Sequence, residues 1–157
     1  MTNITLITRR SPLAMWQTET VRDQLLAKNP GLSITIAGHS TGGDREQTVA
    51  LQDIGGKDLF ARDLQAKIQT GACAVHSLKD LSVNQKPGLA LAATLKRGTV
   101  CDALVSADTT LAELPQGAKI GTASPRRRSQ LLAVRPDLKC ELIRGNVGTR
   151  LAKLDAG

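Results

Sequence analysis

The chain has 157 residues, 41% of them hydrophobic, which is typical of a globular protein with one good core or two small ones. No apolar run approaches the roughly 20 residues of a membrane span, and the N-terminal segment lacks the order of a signal peptide. We therefore expect a cytoplasmic protein that does not associate with a membrane.

The net charge of +7 indicates an acidic partner. With Trp16 and Phe60 as its only aromatic residues, the chain lacks the stacking platforms of single-strand binders, so we expect no nucleic acid.

The cysteines and histidines do not indicate a metal site. Cys73, Cys101 and Cys140 stand alone in the sequence, and there are two histidines. A structural zinc site needs about four ligands at short spacing. We therefore expect no metal, and we interpret each cysteine as a small buried apolar residue.

The first elements follow an α/β pattern, in which short apolar runs alternate with helical spacing. Ile4–Thr8 predicts a strand. Ser11 followed by Pro12 predicts a helix start, because serine caps helices and proline suits their first position. The helix should end near Asn29, and Leu32–Ala37 predicts the next strand.

The remaining elements continue this alternation. A loop is predicted at 42–56, and helices are predicted after Lys57, after Ser124-Pro125 and from Val147. Strands are predicted at Ala72–Val75, Leu89–Leu95, Ala103–Ser106, Ala118–Gly121 and Cys140–Ile143. A boundary near Lys96–Thr99 predicts two domains, at 1–97 and 98–157.

Three strand-to-helix junctions carry arginine beside the helix start. They are Arg9-Arg10-Ser11-Pro12, Ser124-Pro125-Arg126-Arg127-Arg128, and Arg144-Gly145-Asn146 with Arg150 one turn later. Free N–H groups and the helix dipole favour an anion at such a place, and arginine binds carboxylates in bidentate fashion. Any one junction is also an ordinary helix start. The three together predict pockets for a small ligand with several negative charges.

The segment His76-Ser77-Leu78-Lys79-Asp80 adds an ammonium and a carboxylate after an apolar strand. Asp80 is suited to act as an acid or base, or to stabilise a developing cation. The alternative is an exposed Lys-Asp turn. We interpret His76 as a packed or capping histidine rather than a catalyst.

These segments resemble the porphobilinogen deaminase family, also called hydroxymethylbilane synthase. The matching blocks are Thr8–Ala14, Gly55–Lys57, Val75–Asp80, Gly121–Ser124 with Arg126-Arg127, and Leu142–Leu151. They occur in family order across essentially the whole chain and correspond to the N-terminal half of the family. The chain departs from the family pattern at Asp53, Asp58, Cys101 and Pro125.

The resemblance implies an enzyme of tetrapyrrole biosynthesis, the route to porphyrin and heme. The family transferase joins four porphobilinogens head to tail and releases ammonia at each step. Asp80, with Lys79 beside it, would be catalytic and would assist at the pyrrole nitrogen as positive charge develops. The positions that match groups holding acetate and propionate carboxylates are Arg9, Ser11, Lys57, Ser77, Ser124, Arg126, Arg127, Arg144, Gly145 and Arg150.

The resemblance also implies a fold. Family members have two domains like those of periplasmic binding proteins, with the site in the cleft between them. Their third domain carries a dipyrromethane cofactor on a cysteine. We expect here one complete domain of this kind, an incomplete second α/β domain and no cofactor-bearing third domain. No cofactor is expected, because none of the three cysteines lies in a matching segment.

Two functions follow from these expectations. The first is deamination of porphobilinogen without normal growth of a tetrapyrrole chain. The alternative is a non-catalytic module that binds porphobilinogen or another small polycarboxylate. Val147, Leu151 and Leu154 share one face of the last predicted helix, so we also expect self-association into a homo-oligomer.

Overall fold

The computed structural model describes residues 2–40, 61–68, 71–84, 86–106 and 108–157 and is a mixed α/β structure with parallel sheets, as predicted. The chain forms two compact units, Met1–Ala93 with Gly145–Gly157, and Thr94–Arg144. The last helix therefore groups with the first unit. The domain ranges 1–97 and 98–157 stay a prediction.

The first unit is built on a three-stranded parallel sheet, in which the strand Thr2–Arg9 lies between Leu32–His39 and Ala72–Ala74. Its elements are β1 (Thr2–Arg9), α1 (Pro12–Lys28), β2 (Leu32–His39), α2 (Arg62–Gln65), β3 (Ala72–Ala74), a 3-10 turn (Leu78–Asp80) and α4 (Val147–Asp155). Parallel neighbours need a crossover connection, which α1 supplies between β1 and β2. Lys57, with the predicted helix start after it, lies outside the described residues.

The predicted ends of α1 are confirmed. The Ser11 hydroxyl accepts a hydrogen bond from the Ala14 amide at 3.4 Å, and Pro12 occupies the first helical position. At the other end, Asn29 donates from its backbone to Leu26 and from its side chain to Leu25, at 3.3 and 2.9 Å. Local capping chemistry therefore decides both boundaries.

Two buried threonines join α1 to β1. The hydroxyls of Thr8 and Thr18 both donate to the carbonyl oxygen of Ala14, at 3.3 and 2.8 Å. Both residues are fully buried, so these hydrogen bonds satisfy polar groups that would otherwise be costly. Trp16, on the same helix, is 63% exposed, so the largest apolar side chain of α1 is not buried against the sheet.

The second unit repeats the strand–helix–strand arrangement on a smaller scale. Strands β4 (Lys119–Gly121) and β5 (Lys139–Glu141) are parallel and flank α3 (Pro125–Val134) in sequence. Ile120 and Leu138 are its buried apolar residues. The predicted strand Cys140–Ile143 is thus shifted, since β5 begins one residue earlier and ends at Glu141.

Arg135, at the C-terminal end of α3, binds the chain before β4. Its guanidinium pairs with Asp137 in bidentate fashion, with both N–O distances at 2.8 Å, and donates to the carbonyl oxygens of Leu111 and Leu114 at 2.8 and 3.1 Å. Asp137 also accepts from the Gly117 amide at 2.9 Å. The Arg135 hydrogen bond is the main reason that the pKa of Asp137 lies far below its ordinary value. This network ties 111–117 to the end of α3.

Three sequence predictions are wrong. Leu89–Leu95 and Ala103–Ser106 form no strand, because a strand needs a hydrogen-bonding neighbour and none of the described residues pairs with them. The cysteines are not buried as predicted, since Cys73 and Cys101 are exposed and Cys140 is only partly buried. Within the described ranges, no helix has both the length and the apolar character to cross a membrane.

Candidate functional site

The carboxyl edge of the first sheet gathers charged residues. Arg9 is the last residue of β1, and His76–Asp80 follow β3, which runs parallel to it. The Val75 amide donates to the Ile7 carbonyl at 2.9 Å, so the pairing continues to this edge. Parallel strands end on the same side of a sheet, where ligands of open α/β proteins bind. The topology therefore brings Arg9 and the segment around Asp80 together.

Arg9 and Asp80 form an ion pair. The distance from Arg9 Nη1 to Asp80 Oδ2 is 3.5 Å, and the two side chains are 20% and 17% exposed. Partial burial lowers the local dielectric and strengthens the attraction between such charges. The pair places a carboxylate oxygen and a guanidinium side by side at the sheet edge.

The 3-10 turn that carries Asp80 is tied to α1. The Asp80 amide donates to the Ser77 carbonyl at 2.9 Å, and the Ser77 hydroxyl donates to the side-chain oxygen of Gln17 at 2.9 Å. Lys79, on the same turn, is exposed. Gln17 was not predicted as a site residue, because nothing local in the sequence marks a contact across 60 positions.

His76 lies half-buried beside the ion pair. Burial lowers the pKa of its ring, Asp80 raises that pKa and Arg9 lowers it again. Its Nε2 atom is buried and makes no hydrogen bond with any described residue. The ring is therefore neutral near pH 7, and Asp80 has Arg9 as its charged neighbour rather than an imidazolium.

The second basic helix start is that of α3. The Ser124 hydroxyl accepts from the Arg127 amide at 3.4 Å, and the Ser124 amide donates to the Thr122 hydroxyl at 3.1 Å. The cap predicted from Ser124-Pro125 is confirmed. Three arginines, Arg126–Arg128, occupy the first turn, where positive charge opposes the helix dipole unless an anion is present.

The carboxylate of Asp102 supplies an anion beside these arginines. Arg127 Nη2 donates to Asp102 Oδ1 at 2.6 Å, with side chains that are 49% and 56% exposed. This hydrogen bond is the largest cause of a lowered pKa of Asp102, to which the charges of Arg127 and Arg126 add. Asp102 was not predicted as a site residue, because 25 positions separate it from Arg127.

The third helix start, that of α4, contains a glycine at positive φ. Gly145 adopts φ of +117°, and a Cβ there would lie 2.7 Å from the Thr149 side chain, so a larger residue does not fit. Asn146 caps α4 by accepting from the Thr149 amide at 2.9 Å. Arg150 Nε is buried without a hydrogen bond among the described residues. Arg144, which belongs to the second unit, is only 9% exposed.

The predicted site residues therefore fall into two groups, each within one unit. Those of the first unit are Arg9, Ser11, Ser77, Lys79, Asp80, Gly145 and Arg150, and those of the second are Ser124, Arg126, Arg127 and Arg144. Lys57 lies outside the described residues, and the binding and catalytic roles of all of them stay predictions. No three His, Cys, Asp or Glu side chains within the described ranges are grouped to hold a metal ion.

The family model described as "Porphobilinogen deaminase, dipyromethane cofactor binding domain" matches residues 4–157. The chain belongs to the porphobilinogen deaminase family. It is 48% identical to the porphobilinogen deaminase of Xanthomonas axonopodis pv. citri (strain 306) over 160 residues, which cover 100% of this chain and 53% of that protein. It is also 48% identical to that of Coxiella burnetii (strain Dugway 5J108-111), over 99% of this chain and 51% of the relative. The chain spans about half the length of these curated relatives, as the resemblance to half of the family predicted.

The matching description also says that porphobilinogen deaminases use a dipyrromethane cofactor. The described donors fit the acetate and propionate carboxylates of such a group, because they are guanidinium and hydroxyl groups at helix starts. The buried, unsatisfied Arg150 Nε is a further donor suited to a carboxylate. The expectation that this chain holds no cofactor stays a prediction.

Proposed function

We propose that the protein acts on porphobilinogen in tetrapyrrole biosynthesis and catalyses loss of ammonia from its aminomethyl group. The observation that carries this proposal is the Arg9–Asp80 ion pair at the carboxyl edge of the first sheet, in a chain of the porphobilinogen deaminase family. The same proposal includes two domains like those of periplasmic binding proteins, of which the β2-β1-β3 unit is the first.

Asp80 would stabilise the cation that forms when ammonia leaves. The bond between the aminomethyl carbon and the ammonium nitrogen breaks, and its electron pair stays with the nitrogen. The pyrrole nitrogen supplies electrons to the ring, which becomes a cation with an exocyclic methylene group. A carboxylate at the pyrrole N–H stabilises this positive charge more than the neutral substrate, which is the requirement for catalysis. A nucleophile, either water or the free α-carbon of another pyrrole, then adds to the methylene carbon, and one proton leaves.

The basic helix starts would hold the acetate and propionate groups. Arg9, one strand away from Asp80, can orient one carboxylate of the same pyrrole whose nitrogen Asp80 contacts. Arg126 and Arg127 offer two adjacent guanidinium groups at the start of α3, and Arg144 and Arg150 flank the start of α4. Positioning of this kind lowers the entropic barrier to reaction.

Ser124, Arg126 and Arg127 at the start of α3 would hold carboxylates of a dipyrromethane. When bound, that group supplies a pyrrole α-carbon as the nucleophile and further carboxylates for the arginines. The role of the chain's own residues is then to orient the two pyrroles and to stabilise charge at Asp80.

The test is to incubate the protein with porphobilinogen and to follow pyrrole consumption and ammonia release together. We expect equimolar loss of porphobilinogen and appearance of ammonia. Asp23→Asn, which removes an exposed carboxyl group from α1, is the control and should react like the wild type. Saturable binding of porphobilinogen by folded protein without ammonia release would contradict the proposed enzyme and favour the binding module.

A further inference from the structure

Asp102 contacts the guanidinium of Arg127. In the proposed function, Arg127 binds carboxylates of the substrate. We propose that Asp102 is a positioning residue that orients the Arg127 guanidinium to receive a ligand carboxylate. This inference rests on the proposed function. It assigns a role to Asp102, which lies in a segment without regular secondary structure.

The geometry of the contact leaves Arg127 free to bind a second carboxylate. Asp102 Oδ1 accepts from Nη2 alone, at 2.6 Å, whereas a guanidinium offers five N–H donors in a planar fork. Among the described residues, no other acceptor contacts the Arg127 side chain. A ligand carboxylate can therefore bind the remaining donors in bidentate fashion. The side chain is 49% exposed, so these donors are accessible.

The backbone of Arg127 is already held in place. Its amide donates to the Ser124 cap at 3.4 Å in the first turn of α3. The long side chain is then the remaining source of disorder, and its rotamers must be restricted when a ligand binds. A hydrogen bond from Asp102 restricts them in advance, and such preorganisation improves affinity.

A competing role for Asp102 predicts the opposite outcome. If its carboxylate merely occupied the place of a ligand carboxylate, its removal would free Arg127 and tighten binding. Removal of a negative charge beside Arg126 and Arg127 would also tighten the binding of any anion on electrostatic grounds. Weaker binding after loss of Asp102 is therefore a result that only the positioning role predicts.

The experiment titrates tricarballylate, a simple tricarboxylate, into wild type, Asp102→Ala, Asp102→Asn and Asp108→Asn by calorimetry. Asp108 is an exposed aspartate of the same unit, so its variant is the control for loss of one charge. We expect Asp102→Ala to weaken affinity about three- to fivefold, the range typical of a half-exposed ion pair. Asp102→Asn keeps an acceptor oxygen and should restore affinity to within about twofold of wild type.

A second readout needs no ligand. In wild type, the Arg127 guanidinium should show slowed rotation of its Nη groups in nitrogen-15 NMR, and Asp102→Ala should abolish that slowing without lowering Tm. Unchanged or tighter tricarballylate binding in Asp102→Ala, or no binding by wild type, would overturn the inference. Failure of porphobilinogen turnover would contradict the proposed function instead, and the tricarballylate and NMR results would still decide the role of Asp102.

Discussion

Two of the three basic helix starts pair an arginine with an aspartate, but in different surroundings. The Arg9–Asp80 pair has the longer distance, 3.5 Å against 2.6 Å, yet its side chains are about 20% exposed whereas those of Asp102 and Arg127 are about half exposed. Water screens the shorter pair more strongly, so distance alone does not rank the two. Because the Arg9–Asp80 pair is more buried, its loss should lower stability more than loss of the Asp102–Arg127 pair.

The partners also differ in what holds them. Arg9 is the last residue of β1, and Asp80 lies in the 3-10 turn that follows the adjacent parallel strand β3, so the sheet and this turn together set their separation. Asp102 comes from a segment without regular structure, so only the ion pair ties its side chain to Arg127. The first pair is therefore suited to a reaction that needs a fixed charge, and the second to orienting one exposed guanidinium towards a ligand.

The largest expected effect on stability lies at neither pair. Arg135→Lys should lower the Tm of the protein by several degrees, because lysine cannot reproduce the bidentate contact with Asp137 together with the hydrogen bonds to Leu111 and Leu114. Thermal unfolding followed by circular dichroism measures this. A Tm equal to that of Arg127→Lys would contradict the structural role of Arg135.

Replacement of Arg9 or Arg127 by alanine should show that the two ion pairs contribute differently to the free energy of unfolding. Arg9→Ala should lower the free energy of unfolding by about 1 kcal/mol, because it leaves Asp80 partly buried without this partner. Arg127→Ala should leave stability unchanged within error, since its pair is well exposed. Denaturant unfolding measures both variants, and Arg22→Ala, which removes another exposed pair, is the control. If Arg127→Ala lowered the free energy of unfolding more than Arg9→Ala does, the Arg9–Asp80 pair would not be the more stabilising of the two.

The neutral imidazole beside Asp80 should make stability depend on pH. Burial lowers the pKa of His76 in the folded protein, so the unfolded chain binds this proton more readily as pH falls below about 6.5. The free energy of unfolding should then decrease as pH falls through this window and towards the folded pKa. His76→Gln should flatten that part of the profile, with His39→Gln as the matched control. Identical slopes in wild type and His76→Gln would refute this assignment.

The smallest expected effect is on the titration of Asp102. Its pKa is lowered chiefly by the hydrogen bond from Arg127, so Arg127→Ala should raise that pKa towards the ordinary aspartate value. High salt should act in the same direction, because it screens exposed charges. NMR titration of the Asp102 carboxyl carbon measures both. An unchanged pKa in Arg127→Ala would mean that the pair does not persist in solution.

Local chemistry explains which parts of this fold could be predicted. Ser11-Pro12 and Ser124-Pro125 mark their helix starts because capping involves neighbours within one turn. Leu89–Leu95 has an apolar run but no strand, because strand formation depends on a distant pairing partner that the run itself does not encode.

In the candidate site, too, local signals could be predicted from the sequence and long-range contacts could not. The basic junctions and the family resemblance pointed to Arg9, Asp80 and Arg127. The contacts from Gln17 to Ser77 and from Asp102 to Arg127 span 60 and 25 positions. Such partners depend on tertiary packing, which spacing along the chain does not reveal.

The most direct test of the catalytic role of Asp80 compares Asp80→Asn and Asp80→Glu with wild type for the rate of ammonia release from porphobilinogen and for porphobilinogen affinity. Asparagine keeps the shape of the side chain but removes the charge that would stabilise the pyrrole cation. We predict that Asp80→Asn lowers the rate constant for ammonia release about 100- to 1,000-fold, changes affinity less than about fivefold, and that Asp80→Glu is intermediate in rate. Ammonia release by Asp80→Asn at the wild-type rate would contradict this role of Asp80.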